Sequence, residues 1–365
     1  MKYRAVPNSD LTVSEIGFGV WTLSAGWWGD YTDAEASRLL NRALDRGINF
    51  FDTADTYGSG KGETILAKAF ETRQDEIVVG TKFGYDIYAY GDGPRGQREL
   101  PQNWTPDYIR YACEQSLKRL ERSAIDLYQA HNLKADSVMN DDIYETLERL
   151  KEEGKIRSYG AALGPSNGWL VEGSAALRRR RLNSIQIIHN LFEQYPGKRL
   201  AEEAAEAGTG VLVRVPHSSG LLEGRYTENT VFDKNDHRRH RPRSWLINGL
   251  KKLETVRFLT ENRKGATIGQ MALKWLLADP NVMSTLPNIY NAEQIEEFAA
   301  APNQEDVSAE ELSALETLYA ENFGVDEEPM KFKGVEEGSE EARALLEISA
   351  AEPSAASAAA SRVST

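Results

Sequence analysis

Four side chains with complementary acid and base chemistry lie close to the ends of three predicted strands. The run NFFDTADTYG presents Asp52 where its strand ends, and Tyr57 follows in the next loop. The strand IVVGTKFG ends near Lys82, and IDLYQAH ends on His131. A tyrosine near a turn is usually structural, and a lysine at a strand end is usually solvated. Because successive parallel strands end at the same face of a sheet, we nevertheless expect these four groups to meet in one site.

This set of groups suits the reduction of a carbonyl, which needs a hydride on carbon and a proton on oxygen. The phenol of a free tyrosine has a pKa of about 10, too high for an efficient acid at neutral pH. An ammonium group within about 4–6 Å favours the phenolate, so Lys82 would make Tyr57 a better proton donor. Asp52 would hold Lys82 in place, and His131 would donate a hydrogen bond to the substrate oxygen. None of these groups carries hydride, so a cofactor must supply it.

The elements that must position these groups alternate along the chain. Short β-branched or aromatic runs follow amphipathic stretches such as DAEASRLLNRALDRG, in which Ala36, Leu40 and Leu44 share one helical face. Eight strands are predicted: Glu15–Gly19, Asn49–Thr53, Ile77–Lys82, Ile125–His131, Ile156–Ala162, Ser184–His189, Gly210–Pro216 and Val282–Pro287. Eight strand–helix units favour an α/β fold of the closed (β/α)8, or TIM-barrel, type. The alternative is an open doubly wound sheet, which normally begins with a GxGxxG turn that this sequence lacks.

Three segments interrupt the alternation, and a fourth follows it. The first ten residues predict a β-hairpin before the barrel. Long loops at 84–104 and 217–245 follow the third and seventh strands, so both belong to the face where barrels carry their active sites. We therefore predict a barrel domain over 1–325. From Gly334 the chain becomes rich in Glu, Ala and Ser, which predicts a mobile tail over 334–365 with a possible helix at 339–349.

Composition narrows the class of protein. The net charge of −13 would repel nucleic-acid phosphates, so we expect no nucleic-acid partner. The single cysteine, Cys113, lies on the apolar face of DYIRYACEQSLKRL, which indicates a core residue and argues against a disulfide or a cysteine-rich metal site. The N-terminus shows no signal-peptide pattern, and no apolar stretch approaches the length of a membrane span. We expect a cytoplasmic protein with no metal and no membrane partner.

The order of the motifs resembles the aldo-keto reductase superfamily over roughly residues 1 to 320. The run GINFFDTADTYGSGKGE is similar to the signature of that family, and TKFG, SLKRL, IDLYQAH, GKIRSYG, SIQIIHNLFEQ and EQIEEF follow in the family's order. The resemblance implies NAD(P)H-dependent reduction of a small aldehyde or ketone, with Tyr57 as the general acid of a tetrad completed by Asp52, Lys82 and His131. It also implies that Gln186 binds the nicotinamide carboxamide.

The chain departs from the family pattern where the cofactor would bind. Ala162-Leu163 stand where the family usually has a Ser-Asn pair, and Ser166-Asn167 follow four residues later, where they could substitute from the loop. The stretch 287–291 lacks the basic residue that commonly binds the 2′-phosphate of NADP. Arg214 stands where many members place an aromatic ring under the nicotinamide. A guanidinium could stack there, or form an ordinary salt bridge at the strand end.

The sequence still favours NADP(H) over NAD(H), because basic residues crowd the loop after the seventh strand and guanidinium groups bind phosphates. A solvated surface run is the alternative interpretation. The candidate cofactor-binding residues are Gln186, Arg214, Gly220, Asn288, Gln294, Arg239 and Arg241. The candidate substrate-pocket residues are Trp21, Trp28 and Tyr85.

Two other classes of function stay open at this point. The chain could be a regulatory or sensor subunit that binds the cofactor with little turnover. It could also be a non-redox lyase or isomerase, because a barrel fold does not fix the reaction.

Overall fold

A short antiparallel hairpin opens the fold and closes one end of the barrel. The computed structural model describes residues 1–26, 29–90, 99–234, 236–261, 263–326 and 330–347. Strands β1 (Tyr3–Ala5) and β2 (Thr12–Ser14) pair antiparallel. Leu11 and Val13 are buried and pack against Phe50, Leu127 and Leu212 inside the barrel. The predicted hairpin is therefore confirmed, and it fills the end opposite the candidate site.

Parallel strands form the barrel, and each of the eight predicted strands is present. They are β3 (Phe18–Gly19), β4 (Phe50–Asp52), β5 (Val78–Phe83), β6 (Ile125–His131), β7 (Ile156–Ala162), β8 (Ser184–Ile188), β9 (Gly210–Arg214) and β10 (Val282–Leu286). Each strand pairs in parallel with the next along the chain. The first and last strands meet where the Thr285 carbonyl accepts from Gly17 N–H and the Thr285 N–H donates to Glu15, both at 2.9 Å. The predicted (β/α)8 barrel is confirmed.

Helices connect consecutive strands and cover the outside of the ring. The α-helices are α1 (Trp21–Ser24), α2 (Asp33–Asp45), α3 (Lys61–Ala69), α4 (Ile87–Tyr90), α5 (Pro106–Leu120), α6 (Ala135–Met139), α7 (Asp141–Glu152), α8 (Leu170–Arg179), α9 (Gly197–Glu206), α10 (Arg243–Thr255), α11 (Phe258–Glu261), α12 (Ile268–Leu277), α13 (Ala292–Ala299), α14 (Ala309–Ala320) and α15 (Glu340–Leu346). Short 3-10 helices occupy Gln74–Glu76, Ser218–Glu223, His237–His240, Ala301–Asn303 and Asn322–Gly324. Among the described residues, no helix combines the length and apolar character needed to cross a membrane.

Alternation along the strands decides which side chains reach the barrel interior. Phe51 belongs to the apolar layer between strands and helices, whereas its neighbour Phe50 packs inside with the hairpin. The same alternation in β6 sends Tyr128 to the outer layer and Leu127 inward. Because side chains two residues apart share a face of a strand, Asp52 at the end of β4 follows Phe50 into the interior. The alternation of apolar residues thus directs the polar side chains at the strand ends into the barrel interior.

Part of the predicted C-terminal tail packs against the barrel. Residues 330–347, which we call the C-terminal strap, lie on the barrel. The Lys333 carbonyl accepts from Trp169 N–H at 2.6 Å, and α15 packs on α8 with Ala342 and Leu345 buried. Arg179 donates to the Leu345 carbonyl at 2.7 Å. Backbone hydrogen bonds and two buried apolar side chains hold this otherwise polar segment, and the mobility expected for 334–365 stays a prediction. The rest of the predicted tail, 348–365, lies outside the described residues.

Candidate active site

Three neighbouring strands bring the predicted tetrad together at the carboxyl-terminal mouth of the barrel. Asp52 is the last residue of β4 and His131 is the last residue of β6. Lys82 is the last residue but one of β5. Lys82 is in register with Gln129 of β6. Tyr57 enters from the loop after β4, as the sequence predicts. The four side chains therefore share one site, and strand register rather than loop geometry positions three of them.

Asp52 and Lys82 form a buried ion pair at the base of this site. The Lys82 Nζ lies 2.5 Å from Asp52 Oδ2, and the two side chains are 1% and 5% exposed. Lys82 also donates to the Thr53 carbonyl at 2.8 Å. The second carboxylate oxygen accepts from Gln129 and from Gln186, each at 3.0 Å. Both oxygens of the carboxylate are thus engaged, which offsets the cost of burying the charge.

The Tyr57 ring stands between the Lys82 ammonium, the His131 imidazole and the Trp21 indole. Lys82 Nζ lies 5.2 Å from the ring centroid. The Trp21 ring stacks on Tyr57 at 5.9 Å between centroids, and His131 approaches edge-on at 5.9 Å. The loop turns sharply after the tyrosine. A Cβ on Gly58 (φ +60°) would lie 2.6 Å from the Ser24 carbonyl, so glycine is required there. The phenol is held on three sides and stays partly exposed on the fourth.

His131 is kept neutral by its surroundings. Burial holds its pKa well below the usual range, and the Lys82 and Arg214 cations lower it further. Its Nδ1 has no hydrogen-bond partner among the described residues. A neutral imidazole can donate one hydrogen bond without bringing a further positive charge into the site. The geometry therefore suits His131 as a hydrogen-bond donor to a substrate oxygen.

Tyr85 reaches the site from the long loop after β5. Its ring lies 5.1 Å from the His131 ring in an edge-on contact. Its hydroxyl accepts from Asn132 Nδ2 at 2.7 Å and hydrogen-bonds to Glu99. Gln102 of the same loop donates to the His131 carbonyl at 2.9 Å. Of the three predicted pocket residues, Trp21 and Tyr85 flank the tetrad, whereas Trp28 lies outside the described residues.

Arg214 lies at the end of β9, beside the tetrad. Its guanidinium donates to the Leu163 carbonyl, and burial lowers its pKa. A Cβ on Gly164 (φ +144°) would overlap the Arg214 guanidinium, so the arginine occupies space that only glycine leaves free. The Arg214 Nε is buried without a hydrogen-bond partner among the described residues. Among the described residues Arg214 forms no salt bridge, which is one of the two alternatives for this position, and its Nε remains available to a ligand.

Ser166 and Asn167 line a small cavity together with Arg214, and Asn167 also contacts the C-terminal strap. The Asn167 Oδ1 accepts from Gly168 N–H at 3.0 Å, and its Nδ2 lies 3.4 Å from Met330 Sδ in the C-terminal strap. Its carbonyl accepts from Lys333 N–H at 3.1 Å, and Ser166 is exposed. Asn167 therefore anchors the strap, and the role of the pair as a substitute for the family's Ser-Asn pair stays a prediction.

The remaining cofactor candidates lie in the loops after β9 and β10. Gly220 adopts φ +96° inside the 3-10 helix, where a Cβ would overlap the Tyr226 hydroxyl. Gln294 joins the two loops, because it accepts from Tyr290 N–H at 2.8 Å and donates to Glu223 at 2.9 Å. Asn288 is half-buried just before this contact. The structure thus brings the Gly220 loop and the 288–294 stretch together.

The basic loop after β9 pairs one of its arginines with a carboxylate and leaves two others exposed. Arg238 forms an ion pair with Asp236 at 2.6 Å and lies over the Tyr226 ring. Arg239 and Arg241 are exposed: the first donates to the Lys234 carbonyl at 2.5 Å, and the second lies 5.5 Å from the Trp245 ring centroid. The two predicted phosphate ligands are therefore separate from the tetrad and belong to the loop surface.

Three further residues complete the site, and the sequence reasoning missed them. Gln129 shares the inward face of β6 with His131, a signal that the period of two along IDLYQAH could have supplied. His237 makes an edge contact with Trp21 at 5.9 Å, although its loop suggested phosphate binding. Glu223 is buried, and burial raises its pKa to about 7. Nothing local in the sequence distinguishes this glutamate from a solvated one.

Comparison with known proteins decides the family. The model of the aldo/keto reductase family matches residues 15–320. This chain belongs to the aldo/keto reductase family. It is 30% identical over 323 residues to the uncharacterized oxidoreductase YqkF of Bacillus subtilis, covering 87% of this chain and 96% of the relative. It is 31% identical over 293 residues to the aldo-keto reductase yakc [NADP(+)] of Schizosaccharomyces pombe, covering 78% and 83%.

A solved structure of the family supports the same assignment. The glycerol dehydrogenase AKR11B4 of Gluconobacter oxydans superposes with a TM-score of 0.76 at 26% identity, covering 91% of this chain and 99% of that one. The reduction of small-molecule carbonyls with a nicotinamide cofactor is the kind of chemistry that aldo/keto reductases perform. All four tetrad residues lie inside the matched range of the family, whereas the C-terminal strap lies beyond it.

Proposed function

We propose that this aldo/keto reductase reduces the carbonyl of an aldehyde or ketone, with Tyr57 as the proton donor. The observation that carries the proposal is the position of the Tyr57 ring, whose centroid lies 5.2 Å from the Nζ of Lys82, a lysine that forms an ion pair with the buried Asp52 carboxylate. A bound nicotinamide supplies the hydride that no side chain here can supply. The chain's own residues then orient the carbonyl and deliver the proton.

The proton balance of this reaction rests on three of the tetrad residues. As the carbonyl carbon gains hydride, its oxygen takes the proton from the Tyr57 hydroxyl, which leaves a phenolate. The Lys82 ammonium stabilises that phenolate electrostatically, and Asp52 holds the ammonium in place. Solvent then returns a proton to the phenolate, because Tyr57 stays partly exposed. The proposed sequence needs no further acid.

His131 fixes the substrate oxygen in this proposal. Its lowered pKa keeps the imidazole neutral, so that it acts as a hydrogen-bond donor and does not compete with Tyr57 as an acid. Trp21 and Tyr85 flank the two groups and would pack against the carbon side of the substrate. A small carbonyl compound with some apolar surface fits these walls best.

We assign the cofactor-binding residues from their positions in the fold. Gln186 lies on β8, and its amide nitrogen donates to the Asp52 carboxylate and to Gln129. Its amide oxygen is left for the nicotinamide carboxamide. Arg214 offers a buried donor at the neighbouring strand end. The adenosine half of the cofactor would contact Gly220, Asn288 and Gln294. Arg239 and Arg241 would serve the pyrophosphate, because they are exposed on the same loop.

Some observations favour NADP(H) as the cofactor, and others favour NAD(H). The Schizosaccharomyces relative is named for NADP(+), which favours NADP(H), as does the basic loop. The stretch 287–291, in contrast, contains no lysine or arginine. The carboxylates around Glu223, where the adenosine half of the cofactor would lie, favour NAD(H).

A cofactor titration followed by an aldehyde panel tests the proposed function. The purified chain is titrated with NADH and NADPH by fluorescence, and aromatic and glyceraldehyde-like carbonyls are then added while cofactor absorbance is followed. We expect binding of at least one cofactor and turnover with at least one aldehyde. Binding without any turnover would indicate a sensor subunit, and failure to bind either cofactor would indicate a non-redox enzyme; each outcome would contradict the proposal.

A further inference from the structure

The carboxylate of Glu223 is buried between two loops that the proposed cofactor would touch. It ends the 3-10 helix Ser218–Glu223 and meets the start of α13. Its Oε2 accepts from Gln294 Nε2 at 2.9 Å. Its Oε1 has no hydrogen-bond partner among the described residues, although the side chain is only 7% exposed. A buried acceptor without a donor is uncommon in a folded protein and indicates a place for a donor from a ligand.

The charges around Glu223 are already paired. Arg225 forms an ion pair with Glu297 at 2.6 Å, and its Nε lies 3.9 Å from Glu223. Arg238 forms an ion pair with Asp236 at 2.6 Å. Among the described residues here, three carboxylates thus face two guanidinium groups. A phosphate placed in this neighbourhood would meet a surplus of negative charge, which disfavours it.

The neighbouring stretch does not reverse this balance. Asn288 and Tyr290 stand where a cation would be needed, and no lysine or arginine occurs between 287 and 291. A ribose hydroxyl, in contrast, is a hydrogen-bond donor without charge, and a carboxylate is a strong acceptor for it. Acidic side chains read the 2′-hydroxyl of NAD in this way in unrelated dinucleotide-binding folds.

We propose that Glu223 is a specificity-determining residue, whose carboxylate accepts hydrogen bonds from the adenosine ribose of NAD(H) and repels the 2′-phosphate of NADP(H). The inference rests on the proposed function, because it needs the adenosine side of a dinucleotide to lie between the Gly220 loop and Gln294. It reverses the preference for NADP(H) that the basic loop suggested. Arg239 and Arg241 then serve the pyrophosphate that both cofactors share.

The test compares dissociation constants for NADH and NADPH in wild type and in Glu223→Gln. Glutamine keeps the size of the side chain and its contact with Gln294, while it removes the charge. Measurements are made at fixed ionic strength and at about pH 8, where the carboxyl is ionised. Glu145→Gln is the matched control, because it removes the same charge from the exposed face of α7, between β6 and β7.

We expect wild type to bind NADH at least about tenfold more tightly than NADPH, and Glu223→Gln to reduce that ratio by about fivefold or more. The control should leave the ratio unchanged. Equal or tighter binding of NADPH by wild type, or a ratio unchanged in Glu223→Gln, would overturn the inference while leaving the reductase proposal intact. Failure of wild type to bind either cofactor would instead contradict the proposed function, and this inference with it. The wild-type comparison stands even if the variant does not fold.

Discussion

The strand ends and the loops at the mouth of this barrel handle charge in different ways. At the strand ends, Asp52 and Lys82 are almost completely buried, and every oxygen of the carboxylate has a donor. In the loops, Arg238 and Arg225 are paired with nearby carboxylates, and Arg239 is exposed. Strand register fixes the first set. The second set lies on loops that local backbone turns and side-chain contacts hold together.

This difference indicates a division of labour. A buried pair on neighbouring strands cannot lose one member without leaving an uncompensated charge, so changes there affect both folding and reaction. Exposed loop charges are screened by solvent and contribute modestly one at a time, so changes there adjust affinity and choice of cofactor. In the proposed function, the reaction therefore depends on the strand ends of the barrel, and the choice of cofactor depends on its loops.

The largest effect is expected from Lys82→Met. This change leaves Asp52 charged and buried and removes the cation beside Tyr57. We expect turnover to fall to background and the free energy of unfolding to drop by about 3–5 kcal/mol. Denaturant unfolding and steady-state turnover measure the two effects. Lys68→Met, which removes an exposed partner of Asp33, is the control and should change neither much. A Lys82→Met protein as stable and active as that control would show that the buried charges at the strand ends matter no more than exposed charges.

An intermediate effect is expected from removal of the C-terminal strap. Truncation after Gly334 deletes the buried Ala342 and Leu345 and the hydrogen bond from Arg179. We expect the melting temperature to fall by roughly 5 °C. Cofactor binding should stay near wild type, because Met330 and Lys333, which contact Asn167, are kept in this truncation. Truncation after Glu347 is the control. Identical melting curves for both truncations would show that the strap adds nothing to stability.

Much of this molecule could be predicted from the sequence, and the reasons are local. The alternation of apolar runs located all eight strands, and the position of Lys82 and His131 near strand ends placed the tetrad correctly. Periodicity says little about contacts between segments far apart in the chain. The strap escaped prediction for that reason, since its anchors on Gly168 and α8 lie about 165 residues earlier. Glu223 was missed similarly, because its contact with Gln294 of α13 joins segments that are about 70 residues apart in the chain.

The smallest effect is expected from Arg239→Ala combined with Arg241→Ala. Both guanidinium groups are exposed, so the pair should contribute about tenfold in affinity, or about 1.4 kcal/mol, to cofactor binding. NADH and NADPH should weaken equally if the two arginines serve the shared pyrophosphate. Arg149→Ala with Arg257→Ala removes two exposed arginines elsewhere and is the control. Unchanged dissociation constants for both cofactors would make the basic loop a solvated surface.

The central claim, that Tyr57 delivers the proton, is tested most directly by Tyr57→Phe. Phenylalanine keeps the ring that stacks on Trp21 and contacts His131, so the shape of the site should be preserved. Cofactor dissociation constants should stay near wild type, which separates loss of the acid from loss of binding. We predict that turnover of an aldehyde substrate falls by at least roughly 100-fold. A Tyr57→Phe protein that binds cofactor normally and keeps most of its turnover would contradict the assignment of the acid.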